Sequence, residues 1–96
     1  MQKEEILDFL KQHKQELQKK YKIKKIALFG SYAKDRANED SDIDLSIETD
    51  EKDPFVLVHL REELSKALQK PIDIIRYRKS MNPYLKKHIE EDAIYV

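Results

Sequence analysis

The chain has a single glycine, Gly30, in 96 residues. A glycine can enter left-handed backbone conformations freely, and it lets another group approach the main chain where a side chain would otherwise stand. With one glycine, only one position in the chain has both freedoms. Ile23 to Phe29, just before it, is rich in β-branched and aromatic residues and reads as a buried strand that Gly30 ends. Ser31 to Ala37 reads as a short helix with Ser31 as its N-cap. Asn38 to Ser41 is a turn by composition. Twelve residues after Gly30 comes the carboxylate pair of Asp42-Ile43-Asp44.

Asp42 to Glu48 alternates cleanly, with Ile43, Leu45 and Ile47 on one face and Asp42, Asp44, Ser46 and Glu48 on the other. Before the glycine, Lys3 to Lys20 reads as an amphipathic helix burying Ile6, Leu10 and Leu17. After the second strand, Asp53-Pro54 starts a helix, with Asp53 as N-cap. It runs to about Gln69 and buries Leu57, Leu60, Leu64 and Leu68. Ile72 to Tyr77 is a third strand with Asp73 inside it. Asn82-Pro83 starts a last helix through about Glu91, and Ala93 to Val96 can add a short edge strand.

Parallel neighbours need a crossover of a dozen or more residues, and the twelve between the first two strands barely suffice. Those strands are therefore expected to be antiparallel. The fold class is α+β: a small mixed three-stranded sheet, with a short fourth edge strand if the tail joins, flanked by helices. Residues 1–96 make one domain with a thin core, since a chain this short buries roughly two-thirds or less of its unfolded surface.

Charged residues make up 40% of the chain, against a usual share of about 25%. No apolar run approaches the ~20 residues of a membrane span. There is no cysteine, so disulfides and thiolate metal sites are excluded and a cytoplasmic location is expected. The formal net charge is zero, which does not favour direct DNA binding. The five lysines from Lys19 to Lys25 read as solvated surface. The histidines, His13, His59 and His88, have no metal-ligand spacing and read as structural or surface residues.

Asp42 and Asp44, two apart on a strand, project from one face about 7 Å apart at the backbone. Two such charges repel unless a cation or a proton intervenes. Mg²⁺ takes oxygen ligands, one or two carboxylates together with phosphates and water. Asp73, between Ile72 and Ile74, is the natural third ligand, because a charge there is costly unless paired. Three carboxylates on adjacent strands can hold one or two ions. Gly30 lets a phosphate reach the backbone, Ser31 adds a hydroxyl, and the start of the short helix offers free N–H groups. Lys34 and Arg36 can neutralise remaining phosphate charge. Tyr32, beside this turn, is a candidate contact for a base or sugar.

Gly30-Ser31, ten residues, Asp42-Ile43-Asp44, and Asp73 in Pro71-Ile72-Asp73-Ile74-Ile75 together resemble the minimal nucleotidyltransferases of the polymerase-beta superfamily, the MNT domains. Ser31-Tyr32-Ala33-Lys34, Glu39-Asp40-Ser41-Asp42-Ile43-Asp44-Leu45 and the ending Ile89 to Tyr95 extend the resemblance over nearly the whole chain. It implies the nucleotidyltransferase fold, with Asp42, Asp44 and Asp73 as the catalytic, Mg²⁺-binding triad. Gly30, Ser31, Lys34 and Ser41 would hold the nucleotide. It implies AMP transfer from ATP to a hydroxyl, a tyrosine, of a HEPN toxin, with an antitoxin role. The complex would be a hetero-oligomer, or alone a homodimer. Two other readings fit the same residues: an antitoxin that only masks its partner, and a nucleotidyltransferase for a small hydroxylated molecule. Asp35 stands where many members have glycine, and its carboxylate either repels the phosphates or points to solvent.

Overall fold

A computed structural model describes residues 1–96. The helical spacing of Ile6, Leu10 and Leu17 buries all three along α1, Lys3–Tyr21. Lys22 ends α1 in the left-handed region at φ 54°, its N–H donating to Gln18 O. Strand β1 follows at once, Ile23–Phe29, and Gly30 turns the chain into α2, Gly30–Ala33. This helix is shorter than its composition suggests, because Asp35 takes a left-handed φ of 58° and cannot continue it. It also begins one residue earlier than expected. Ser31 is therefore inside the helix, and no side chain caps it.

Strand β2, Ile43–Thr49, keeps the alternation: Ile43, Leu45 and Ile47 are fully buried, while Asp44 and Glu48 are half-buried. Helix α3, Phe55–Leu68, buries Leu60, Leu64 and Leu68; Leu57 is only partly covered. Pro54 occupies the capping position, one residue later than expected. Asp53 still serves the helix start, its Oδ1 accepting from Phe55 N–H at 3.0 Å. Gln69, at φ 54°, closes α3 as Lys22 closes α1. Both helix ends use a residue with a side chain where glycine is usual, at a cost of roughly 1 kcal/mol or more each. Strand β3 is Ile72–Arg76, helix α4 is Pro83–Asp92 and strand β4 is Ile94–Tyr95. Asn82 caps α4 as expected, its Oδ1 accepting from Tyr84 N–H at 2.9 Å and Leu85 N–H at 3.3 Å.

The sheet order is β3-β2-β1-β4. β1 is antiparallel to β2 and to β4, and β2 is parallel to β3. The tail thus supplies a fourth strand, and the expected antiparallel pairing of the first two strands is present. Ile26 and Leu28 sit opposite Ile47 and Leu45. With the leucines of α1 and α3 they form the main apolar cluster. Each fully buried Leu or Ile contributes about 1.5–3 kcal/mol. The other sheet face carries Phe29, Ala27, Asp44, Ser46 and Asp73, by strict alternation from those partners. Helix α4 lies on that side, with Ile89 fully buried and His88 edge-on to Phe29. No helix is long and apolar enough to cross a membrane.

Candidate active site

Gly30 has φ +75°, a conformation that a side chain disfavours. A Cβ at this position would lie 2.2 Å from Asp44 Oδ2, 3.0 Å from its Cγ and 3.2 Å from its Cβ. The bare backbone of the turn therefore makes room first for the Asp44 carboxylate itself, a need the sequence did not reveal. Register explains the approach, because Phe29, the residue before Gly30, sits directly opposite Asp44. Beyond Gly30 the chain winds tightly. Lys34 N–H donates to Gly30 O at 3.2 Å and Arg36 N–H to Ser31 O at 2.9 Å. The first-turn amides of such a coil have no partner within it, and they lie on the side from which the chain enters.

The parallel pairing of β2 and β3 sets Asp44 directly beside Asp73. Asp44 is half-buried and Asp73 exposed; Asp42, one residue before β2, is also exposed. Burial pushes the Asp44 carboxyl above the usual carboxylate range, and the charges of Asp73 and then Asp42 push it further. His88 opposes them. The three carboxylates therefore share one electrostatic field. As the side chains stand, no three acidic or histidine groups close on one point as a cage. The chemistry of the set nonetheless fits a hard divalent cation. All donors are oxygens, and their mutual repulsion is what such an ion relieves.

The other expected residues have partners of their own. Lys34 Nζ lies 3.1 Å from Asp92 Oδ2. Ser41 Oγ accepts from Asn38 N–H at 2.9 Å and donates to Asn38 Oδ1 at 3.3 Å, which locks the turn leading into Asp42. Arg36 is exposed. Tyr32 is 3% exposed and belongs to the apolar core, so the expectation of a base or sugar contact is corrected. Asp35 is exposed, and Lys3 Nζ donates to its Oδ2 at 2.9 Å, tying the turn to α1.

Of the histidines, His13 stacks on Phe9, and His59 is exposed on α3. His88 is exposed, as a surface residue is expected to be, and its ring also sits against Phe29 and within the field of Asp44. Asp92 stands outside the Gly-Ser and Asp-x-Asp pattern. The signals for them are their spacing of four on α4, which places both on one helix face, and, for Asp92, its place in the Ile89-to-Tyr95 ending.

The profile of the family described as "Nucleotidyltransferase domain" matches residues 10–96. The chain is 48% identical over 95 residues to a Methanocaldococcus jannaschii protein named "Putative protein adenylyltransferase", covering 96% of this chain and 95% of that protein. It is 31% identical over 94 residues to the protein adenylyltransferase MntA of Thermococcus cleftensis, covering 97% of this chain and 94% of that one. Among solved structures, a toxin-antitoxin with AMP-PNP superposes with a TM-score of 0.71 at 24% identity, over 83% of this chain and 66% of that chain. A complex of tri-AMPylated Shewanella oneidensis HEPN toxin with MNT antitoxin superposes with a TM-score of 0.66 at 21% identity, over 92% of this chain and 69% of that chain. The structural likenesses bear on the fold.

Proposed function

The chain belongs to the nucleotidyltransferase domain family, and from that premise we propose that it is a protein adenylyltransferase that moves AMP from ATP to a tyrosine hydroxyl of a HEPN-type toxin, as the toxin's antitoxin. The names of its relatives support the reaction class. The toxin complexes of similar fold support the choice of partner. The observation that carries the reading is the convergence of Gly30 and Asp73 on Asp44, one by contact and the other by strand register.

In the reaction the acceptor oxygen attacks the α-phosphorus of ATP. A new P–O bond forms, the hydroxyl proton passes to water or to a neighbouring carboxylate, the bond to the bridging oxygen of the β-phosphate breaks, and pyrophosphate leaves. Gly30 and Ser31 seat the triphosphate against backbone N–H groups. Asp42, Asp44 and Asp73 would hold one or two Mg²⁺, which supply Lewis-acid charge to the phosphates. Asp73, exposed on the sheet edge, is the carboxylate open to an incoming acceptor. Asp44, half-buried against the turn, is the fixed member of the set. Arg36 and Lys34 add positive charge beside the turn.

The test is incubation of the chain with α-labelled ATP, Mg²⁺ and a HEPN-type toxin. Label should move to the toxin with the wild-type protein, and not with Asp42→Asn/Asp44→Asn. Loss of toxin activity with the double variant, without labelling, would refute catalysis as the basis of neutralisation.

A further inference from the structure

We propose that Asp92 is a positioning residue for the phosphate turn, acting through Lys34, and that with His88 it lets α4 hold that turn at both ends. The inference rests on the adenylyltransferase reading and adds to it a helix outside the Gly-Ser and Asp-x-Asp pattern. The turn Gly30–Ala33 has two flanks. At the upstream one, the His88 ring meets Phe29 edge-on, with centroids 6.4 Å apart and planes at 88°. At the downstream one, Lys34 Nζ lies 3.1 Å from Asp92 Oδ2. His88 and Asp92 are four apart, so one face of α4 makes both contacts. His88 Nδ1 also lies 3.9 Å from the same Asp92 oxygen. Helix α4 is itself fixed to the sheet by the fully buried Ile89 and by Tyr77, whose hydroxyl donates to Glu90 Oε1 at 2.7 Å.

The Lys34–Asp92 contact differs from an ordinary surface pair. The Asp92 side chain is only 13% exposed, and its Oδ2 has almost no contact with solvent. Lys34 stands close enough to balance that charge, but it is misaligned for a hydrogen bond. A carboxylate so enclosed needs a cation beside it, and the lysine is held accordingly. An ammonium has three N–H donors. With one side of it toward Asp92, donors remain for a phosphate at the turn. A free lysine would have to give up its rotamer freedom when the nucleotide arrives; the pair removes that freedom beforehand.

The test uses the full chain with Mg²⁺ and ATP. It measures ATP Kd by calorimetry, KM and kcat for AMP transfer to the toxin, and the thermal midpoint. Asp92→Asn should raise ATP Kd and KM about tenfold, the scale of losing the one charge-assisted hydrogen bond that a positioned Lys34 gives the phosphate. Its kcat should stay within about twofold of wild type. Asp92→Glu, which keeps the charge, should recover most of the loss. A purely structural role would instead lower the thermal midpoint and kcat and leave KM in place. Unchanged or tighter ATP binding by folded Asp92→Asn overturns the proposal, and tighter binding would mean that Asp92 only repels phosphates. His88→Ala, at an exposed position, keeps the test open if Asp92→Asn does not fold. It should raise KM several-fold at constant kcat, and an unchanged KM overturns the hold at two ends. Wild-type protein that binds ATP without transferring AMP overturns the catalytic reading and leaves the Kd comparison standing. Wild-type protein that binds no ATP overturns both.

Discussion

Replacing Gly30 with alanine tests the contact at the centre of the site. Two costs add. An L-residue held in the left-handed region at φ +75° costs roughly 1–2 kcal/mol. The new Cβ would stand 2.2 Å from Asp44 Oδ2, with Cγ and Cβ of the same side chain close behind, so Asp44 must leave its rotamer. That adds roughly 0.5–1.5 kcal/mol. The sum is about 2–3 kcal/mol, and at ~4–8 °C per kcal/mol for a domain of this size the midpoint should fall by roughly 10–20 °C. Thermal and urea unfolding measured with a chelator present isolate these terms from metal binding. The remedy separates them: in an Asp44→Ala background the clash is largely relieved, so Gly30→Ala should cost only the backbone part, about 1–2 kcal/mol. AMP transfer by folded Gly30→Ala should drop about a hundredfold, because the carboxylate is displaced by an ångström or more. An equal cost in both backgrounds, or a midpoint within ~3 °C of wild type, would show that Gly30 does not make room for Asp44.

Asp44→Asn should stabilise the metal-free protein at neutral pH, because the folded state raises the carboxyl's pKa and so disfavours its charge. The sign follows from linkage. The folded state favours the protonated form, so stability from this group is full below the unfolded value and lost as pH rises through the raised one. The advantage of asparagine in chemical unfolding should therefore vanish at acid pH, and added Mg²⁺ should stabilise wild type but not the variant. Asn82→Ala should cost about 1 kcal/mol in urea unfolding, since two α4 amides lose their acceptor. Asp35→Gly relieves a left-handed residue worth roughly 1 kcal/mol and loses one exposed ion pair that solvent screens. Its midpoint should stay within a few degrees of wild type, and its ATP Kd within about twofold, because the carboxylate is engaged with Lys3. A large rise in ATP affinity would mean that Asp35 repels the nucleotide.

The alternation of Asp42 to Glu48 and the helical spacing of Ile6, Leu10 and Leu17 were legible because each pattern states its own period. The antiparallel pairing of β1 and β2 followed from loop length alone. Boundaries slipped by a residue at Ser31 and Pro54, where a cap can be made from either of two neighbours. Other features had no local signal. The close approach of Asp44 to Gly30 depends on the register of two strands, fixed by apolar matching of Leu28 with Leu45 and Ile26 with Ile47. The places of His88 and Asp92 depend on how α4 crosses the sheet, set by Ile89 and by the Tyr77–Glu90 bond. Tyr32 looked accessible from its neighbours in sequence, but a one-turn helix rotates it into the core.

The strand order divides the site along a line of local stability. β1 and β2 are the inner strands, each paired on both sides, whereas β3 and β4 form the rims. Asp44 and the strand end that leads into Gly30 therefore belong to the part of the molecule whose amides should exchange with deuterium most slowly. Asp73 is on a rim strand and Asp92 on a helix leading to the other rim, where opening needs less free energy. The free protein should then spend part of its time with half of its site assembled, and its apparent affinity for ATP is reduced by that fraction. Nucleotide binding should slow exchange in β3 and α4 more than in β1 and β2. A substitution that merely stiffens the β3 rim, without touching the ligand, should tighten binding.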